Sequence, residues 1–99
     1  MCIDTIRKMM QRGIIITEHA KRRMRERGVC VAEVRNAINL GAIIENYPTR
    51  KPRPACLISH NDLHIVISTN GKRIFLVTCY RPSCDYFEDD NKTRRPKVW

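Results

Sequence analysis

Residues 62–81 read DLHIVISTNGKRIFLVTCYR, and this stretch decides the fold. Two apolar runs, 63–69 and 73–80, flank Asn70-Gly71. Asn-Gly between β-branched runs is a strong hairpin signal, because a type I′ turn needs positive φ at both central residues. A two-residue loop makes Thr69 face Lys72. Counting back then pairs Ile67 with Ile74, Ile65 with Leu76 and Leu63 with Thr78 on one face. The other face receives Ser68/Arg73, Val66/Phe75, His64/Val77 and Asp62/Cys79, with Arg81 next along. The first face reads as core. The second, apolar in its middle and edged by His64, Arg73 and Arg81, reads as the place to meet a polar ligand. Tyr80 falls on the core side unless a bulge swings it over.

Upstream of the hairpin, 55–59 is a further strand that turns at His60-Asn61-Asp62. Before it, 48–54 holds three prolines and three cations, a loop that cannot continue a sheet. The segment 42–47 (AIIENY) reads as a strand. Val31, Val34, Ala37 and Ile38 form a helical stripe that Gly41 stops. Glu33 lies three residues after Cys30, and Val29 is placed to staple to Val34, so a capping box is expected with Cys in the Ser/Thr place. A second helix, EHAKRRMRER, precedes it, capped by Thr17 and ended by Gly28. Five of its ten residues are basic and its apolar content is only Ala20 and Met24, so it lies on the rim of a core or presents a ligand surface. Ile14, Ile15 and Ile16 make a brief strand. Residues 2–12 carry Ile3, Ile6 and Met10 at helical spacing.

Downstream, SCDYFEDDNKTRRPKVW is expected to hold a short element with Tyr86 and Phe87, then a mobile basic tail over 91–99. The expected architecture is one α+β domain over 1–99. Its N-terminal helices pack on one face of a mainly antiparallel four- to five-stranded sheet, and 1–13 is an extra N-terminal helix.

Composition narrows the function classes. A chain of 99 residues buries roughly 65% of its unfolded surface, enough for one modest core. No apolar run approaches the ~20 residues of a membrane span. The start MCIDTIRKMMQRG has no apolar signal-peptide core, so the expected compartment is the cytoplasm. Five cysteines in no CxxC pair read as reduced thiols. Cys79, Cys84, His60 and His64 match no known zinc spacing, so no metal and no cofactor are expected. The net charge is +9 and thirteen of nineteen cations are arginine, which favours planar recognition of phosphate or carboxylate. With a pI near 9.8, the partner class is nucleic acid or an acidic protein.

Several short motifs share one order. They are Thr17-Glu18-His19-Ala20 running to Arg27-Gly28, Ile43-Ile44-Glu45-Asn46-Tyr47-Pro48, Leu63-His64-Ile65-Val66-Ile67, Thr78-Cys79-Tyr80-Arg81-Pro82, and Phe87-Glu88. Over about 15–90 this order resembles the domain-of-unknown-function family 4258, related to the RelE- and BrnT-like toxins of bacterial toxin–antitoxin pairs. Cys30 in the capping place and the extra N-terminal helix depart from the family pattern. The resemblance implies a RelE-like fold and a metal-independent endoribonuclease that cleaves mRNA through the ribose 2′-hydroxyl. Such chemistry needs a base, an acid and cations for the phosphorane charge. It also implies a cognate antitoxin, acidic or of zinc-finger or helix-turn-helix type, bound over the basic face.

His64 is the first candidate for acid or base, since an imidazole titrates near working pH. His19, beside the capping threonine with Arg22 and Arg23 one turn on, is the second; it is equally suited to locking the strand–helix junction. His60 sits in a turn. Arg81 is the expected phosphate ligand at the reacting centre, by bidentate geometry. Arg73, Lys72, Arg22 and Arg23 are the expected RNA-binding residues. Arg25 and Arg27 complete a ring of charge that steers RNA or faces an antitoxin. The alternative is a non-catalytic basic module that binds RNA, the ribosome or a protein target, including a gyrase-type target. A homo-oligomer is compatible with either.

Overall fold

The structure is a computed structural model that describes residues 2–51 and 53–82. The elements run α1 (Ile3–Met10), β1 (Ile14–Ile16), α2 (Glu18–Arg27), α3 (Val31–Leu40), β2 (Ala42–Tyr47), β3 (Ala55–His60), β4 (Leu63–Thr69) and β5 (Ile74–Tyr80). The segment with Tyr86, the Phe87-Glu88 pair, Cys84 and the 91–99 tail lie outside the described residues.

β4 and β5 pair antiparallel as predicted, but in another register. Thr69 faces Ile74 rather than Lys72, so the loop is the four residues 70–73. Asn70 does not adopt positive φ; Gly71 alone in this loop does, at +91°. The Asn70 side chain replaces the expected turn. Its Oδ1 accepts from the backbone N–H groups of Lys72 and Arg73, each at 2.9 Å. Thr69 Oγ1 accepts from Gly71 N at 3.0 Å and donates to Arg73 O at 2.9 Å. An asparagine that satisfies two backbone donors stabilises the longer loop and removes the need for type I′.

A bulge follows. Ile67 faces Leu76 but Val66 faces Thr78, leaving Val77 as the extra residue. The two-residue shift at the turn keeps every face, whereas one bulged residue inverts all that come after it. Thr78 and Tyr80 therefore join His64 and Val66. Cys79, expected opposite Asp62 on the face of His64, passes to the helix side with Ile65, and Arg81 leaves the face of His64.

The sheet order is β1-β5-β4-β3-β2. β1 runs parallel to β5, pairing Ile14, Ile15 and Ile16 with Ile74, Phe75 and Leu76, so the sheet is mixed. Thr17 fixes this edge. Its Oγ1 accepts from Ala20 N at 3.1 Å, capping α2, and lies 3.0 Å from Leu76 O and 3.2 Å from the bulged Val77 O, toward which it donates. β3 runs on through His60 and turns into β4 at Asn61-Asp62, with Asn61 at φ +52°.

The helices among the described residues all pack on one side. Ile6, Met10, Ala20, Val34, Ala37 and Ile38 close over Ile58, Ile65, Ile67, Ile74 and Leu76. The α3 stripe is as predicted except that Val31 stays exposed. α1 belongs to this core and holds the end of α3. Arg7 Nε donates to Ile38 O at 2.8 Å and its Nη2 to Gly41 O at 3.2 Å. The opposite face is buried too. It carries Ala55, Leu57, Val66 and Tyr80, with Ile44, Tyr47 and Val77 partly buried beside them.

Candidate nucleic-acid interface

The three residues expected at a reacting centre occupy three places. His64 is fully buried on the second face, between Ser59 of β3 and Tyr80 of β5. Its ring centre lies 5.6 Å from that of Tyr80, tilted by 51°. The bulge at Val77 makes this pair, which the predicted register would have separated.

His19 is exposed on the first turn of α2. The strand–helix junction is locked by Thr17, not by His19. His60 ends β3, with Nε2 3.3 Å from Asn61 Nδ2.

Arg81 lies on the helix side, turned there by the bulge. Its Nε donates to Arg27 O at 3.2 Å and Nη2 to Gly28 O at 3.3 Å, which closes the C-terminus of α2. Nη2 also meets Glu33 Oε2 at 3.0 Å and Nη1 meets Asp62 Oδ1 at 3.1 Å. Glu33 is held below its ordinary value, first by the hydrogen bond from Arg81 and then by the backbone of Cys30. Its Oε1 accepts from Cys30 N at 3.4 Å, the Glu half of the predicted capping box. Arg81 thus ties the α2–α3 connection to β5, on the opposite side of the sheet from His64.

The thiols divide by the same geometry. Burial pushes both Cys56 and Cys79 up to about 11. Cys79 lies on the helix side and His64 on the other, so these two do not share a ligand set. Among the described residues no three His, Cys, Asp or Glu side chains gather as metal ligands. No described helix is long and apolar enough to cross a membrane.

The cations supply the remaining chemistry. Among the described residues, ion pairs engage only Arg7, Lys21, Arg23 and Arg81. Of the predicted RNA-binding residues, Arg23 is half-buried and held by Glu26 at 3.0 Å. Arg22 is exposed, enters no ion pair, and shares the outward side of α2 with Arg25, three residues on. Ala20 and Met24 face the sheet and fix that orientation.

Lys72 and Arg73 stand at the end of the sheet where the 70–73 loop meets the end of α1 and the loop before β3. Arg12 Nη1 donates to Lys72 O at 3.4 Å. Arg73 Nη2 lies 3.4 Å from where a Cβ on Gly13 would be. Arg53 reaches over to Phe75, its guanidinium carbon 4.2 Å from the ring centre. Arg50 Nη1 donates to Arg53 O at 3.2 Å. The buried Nε atoms of Arg53 and Arg73 find no hydrogen-bond acceptor among the described residues. Sequence reading singled out Lys72 and Arg73 but missed Arg12 and Arg53. Arg53 was visible only as one of three loop cations. Nothing in the spacing shows that it crosses to an aromatic more than twenty residues on.

Among the described residues, three helices and a five-stranded sheet with cations outside any ion pair on a helix and at one sheet end define the class, an α+β domain with a basic surface. The family model described as a domain of unknown function, DUF4258, matches residues 16–81, and the chain belongs to that family. The match takes in Thr17, His64, the bulge and Arg81, and leaves out α1. No curated protein and no solved structure matches the chain.

Proposed function

We propose that this domain is a basic module that binds single-stranded RNA, by itself or within the ribosome, and works by binding rather than by cleavage. The observation that carries this reading is the disposition of the cations. Arg22 and Arg25 on α2, and Arg12, Arg50, Lys51, Arg53, Lys72 and Arg73 at the sheet end, are left without acidic partners among the described residues. Charges neutralised within the fold would serve packing alone. Unpaired arginines are free to take phosphates in exchange for counterions. Separation of His64, His19 and Arg81 weighs against a shared reacting centre.

The test is to incubate the full chain with a labelled single-stranded RNA and follow complex and product together. The expected result is a retarded complex whose RNA stays intact over hours. Cleavage at neutral pH in chelator would instead support a second reading, a metal-independent endoribonuclease toxin neutralised by an antitoxin. What favours that reading is the contact between His64 and Tyr80, an imidazole and a phenol side by side. Under it, His64→Ala slows cleavage by about 10²–10⁴-fold, the usual cost of a lost acid–base group. Induced expression without an antitoxin would then arrest growth.

A further inference from the structure

We infer that the sheet end around the 70–73 loop holds a single nucleotide of the bound RNA, with its base against the Phe75–Arg53 pair and its phosphate on Arg73 and Arg12. This rests on the RNA-binding reading and assigns it a site.

Phe75 is the first residue of β5 on the second face, paired with Ser68 across the sheet and with Ile15 on β1. An aromatic at a strand end, half-exposed, offers one broad flat surface. The guanidinium carbon of Arg53 lies over that surface, 4.2 Å from the ring centre and within cation–π range. Phe75 is half-exposed beside that guanidinium, so ring and guanidinium together form one mixed surface for a base to lie against. RNA bases stack on guanidinium planes as well as on aromatic rings.

The donors point to an anion beside that surface. A buried guanidinium N–H with no acceptor is costly, because water has been removed and nothing replaces it. Two such donors occur here among the described residues, the Nε atoms of Arg53 and Arg73. The residues that carry them flank Ile74 and Phe75. The bond from Arg12 to the backbone carbonyl of Lys72 brings the Arg12 guanidinium to the 70–73 loop, and the Arg73 guanidinium reaches Gly13, just past the end of α1. A phosphate accepts several such bonds at once, and arginine meets it with two parallel donors. An aromatic–guanidinium pair beside further arginines matches a nucleotide, whereas an acidic peptide would use the cations and leave the ring idle.

The test uses the full chain and a short single-stranded RNA, with affinity read by fluorescence anisotropy. The variants are Phe75→Leu, Arg53→Lys and Arg73→Lys, each compared with Arg22→Gln on α2. The second and third keep the charge and remove only the planar fork. A thermal melt confirms that each variant folds like the parent. The expected result is a loss of about tenfold for Phe75→Leu and for Arg53→Lys, the scale of one lost stacked base, with the salt slope unchanged. Arg73→Lys should lose affinity on RNA and on a poly-phosphate competitor alike, since it serves the phosphate. Parental affinity in all three variants would overturn the nucleotide site while leaving RNA binding in place. A parent that binds no RNA at low salt would overturn both. Equal losses on RNA and on an acidic peptide would replace the nucleotide by a carboxylate partner.

Discussion

The guanidinium of Arg81 shows how one side chain fixes several segments at once. It donates to the carbonyls of Arg27 and Gly28, where α2 would otherwise end with unsatisfied acceptors. Glu33, which it also meets, holds the start of α3. The pH response follows from the direction in which Glu33 is shifted. Its folded value lies below the unfolded carboxylate value near about 4.3, so its contribution is fully present above that pH and is lost as pH falls through the folded value. Both partners are partly exposed, with side-chain accessibilities of 30% and 38%, so solvent screening keeps the effect below about 1 kcal/mol. Glu33→Gln should melt below the parent at pH 7, and the gap should close as pH is lowered toward 3. A gap that is constant with pH would remove the ion pair from the account.

Gly41 makes a second prediction at this scale. A Cβ there would lie 2.4 Å from Ala37 O and 2.6 Å from Ser59 O, both backbone atoms that cannot swing aside. Gly41→Ala should therefore cost about 1–3 kcal/mol, as overpacking does, read from the urea midpoint. No loss would mean that α3 and β3 stand further apart than described.

At the scale of elements, the 70–73 loop separates what the sequence displays from what it conceals. The strands were legible because β-branched runs flank an Asn-Gly pair, and the faces of β4 were legible because an even register error leaves alternation intact. The α3 stripe and its capping glutamate were equally plain. The register was not, because Asn70 serves two turn types by different means, positive φ in one and side-chain acceptance in the other. The bulge at Val77 leaves no mark in a run of apolar residues, yet it alone decides that Tyr80 meets His64 and Arg81 does not. The parallel pairing of β1 was also hidden, since three isoleucines name no partner. A substitution distinguishes the two turns. Asn70→Gly suits a type I′ turn and would be nearly neutral there. Here it removes two hydrogen bonds and should cost about 1 kcal/mol by the usual net value of such bonds. Asn70→Asp, which keeps an acceptor, should restore most of it in the same thermal melts. An unchanged melting temperature for Asn70→Gly would return the loop to type I′.

For the whole molecule, the arginine excess has a spatial logic that composition alone does not reveal. Arg7 and Arg81 are consumed in closing helix ends, and Arg23 is held by a neighbouring glutamate. Among the described residues, the arginines on the outward face of α2 and at the sheet end stay outside ion pairs, as do Arg27 and Arg35. Under the RNA-binding proposal, charge arranged in this way would steer an anionic chain toward the domain. His64 and Tyr80, by contrast, are buried on the second face and belong to its packing in this reading.

The most direct test of RNA binding is the salt dependence of affinity for a single-stranded RNA, in the parent and in the double variant Arg22→Gln with Arg25→Gln. Each phosphate contact contributes about 0.7 to the slope of log affinity against log salt. The parent should lose affinity steeply as salt rises, and the double variant should show a slope smaller by up to about 1.4, two contacts' worth, with its melting temperature unchanged. A flat profile for the parent, or a slope that the double variant leaves untouched, would contradict the assignment of these arginines to RNA.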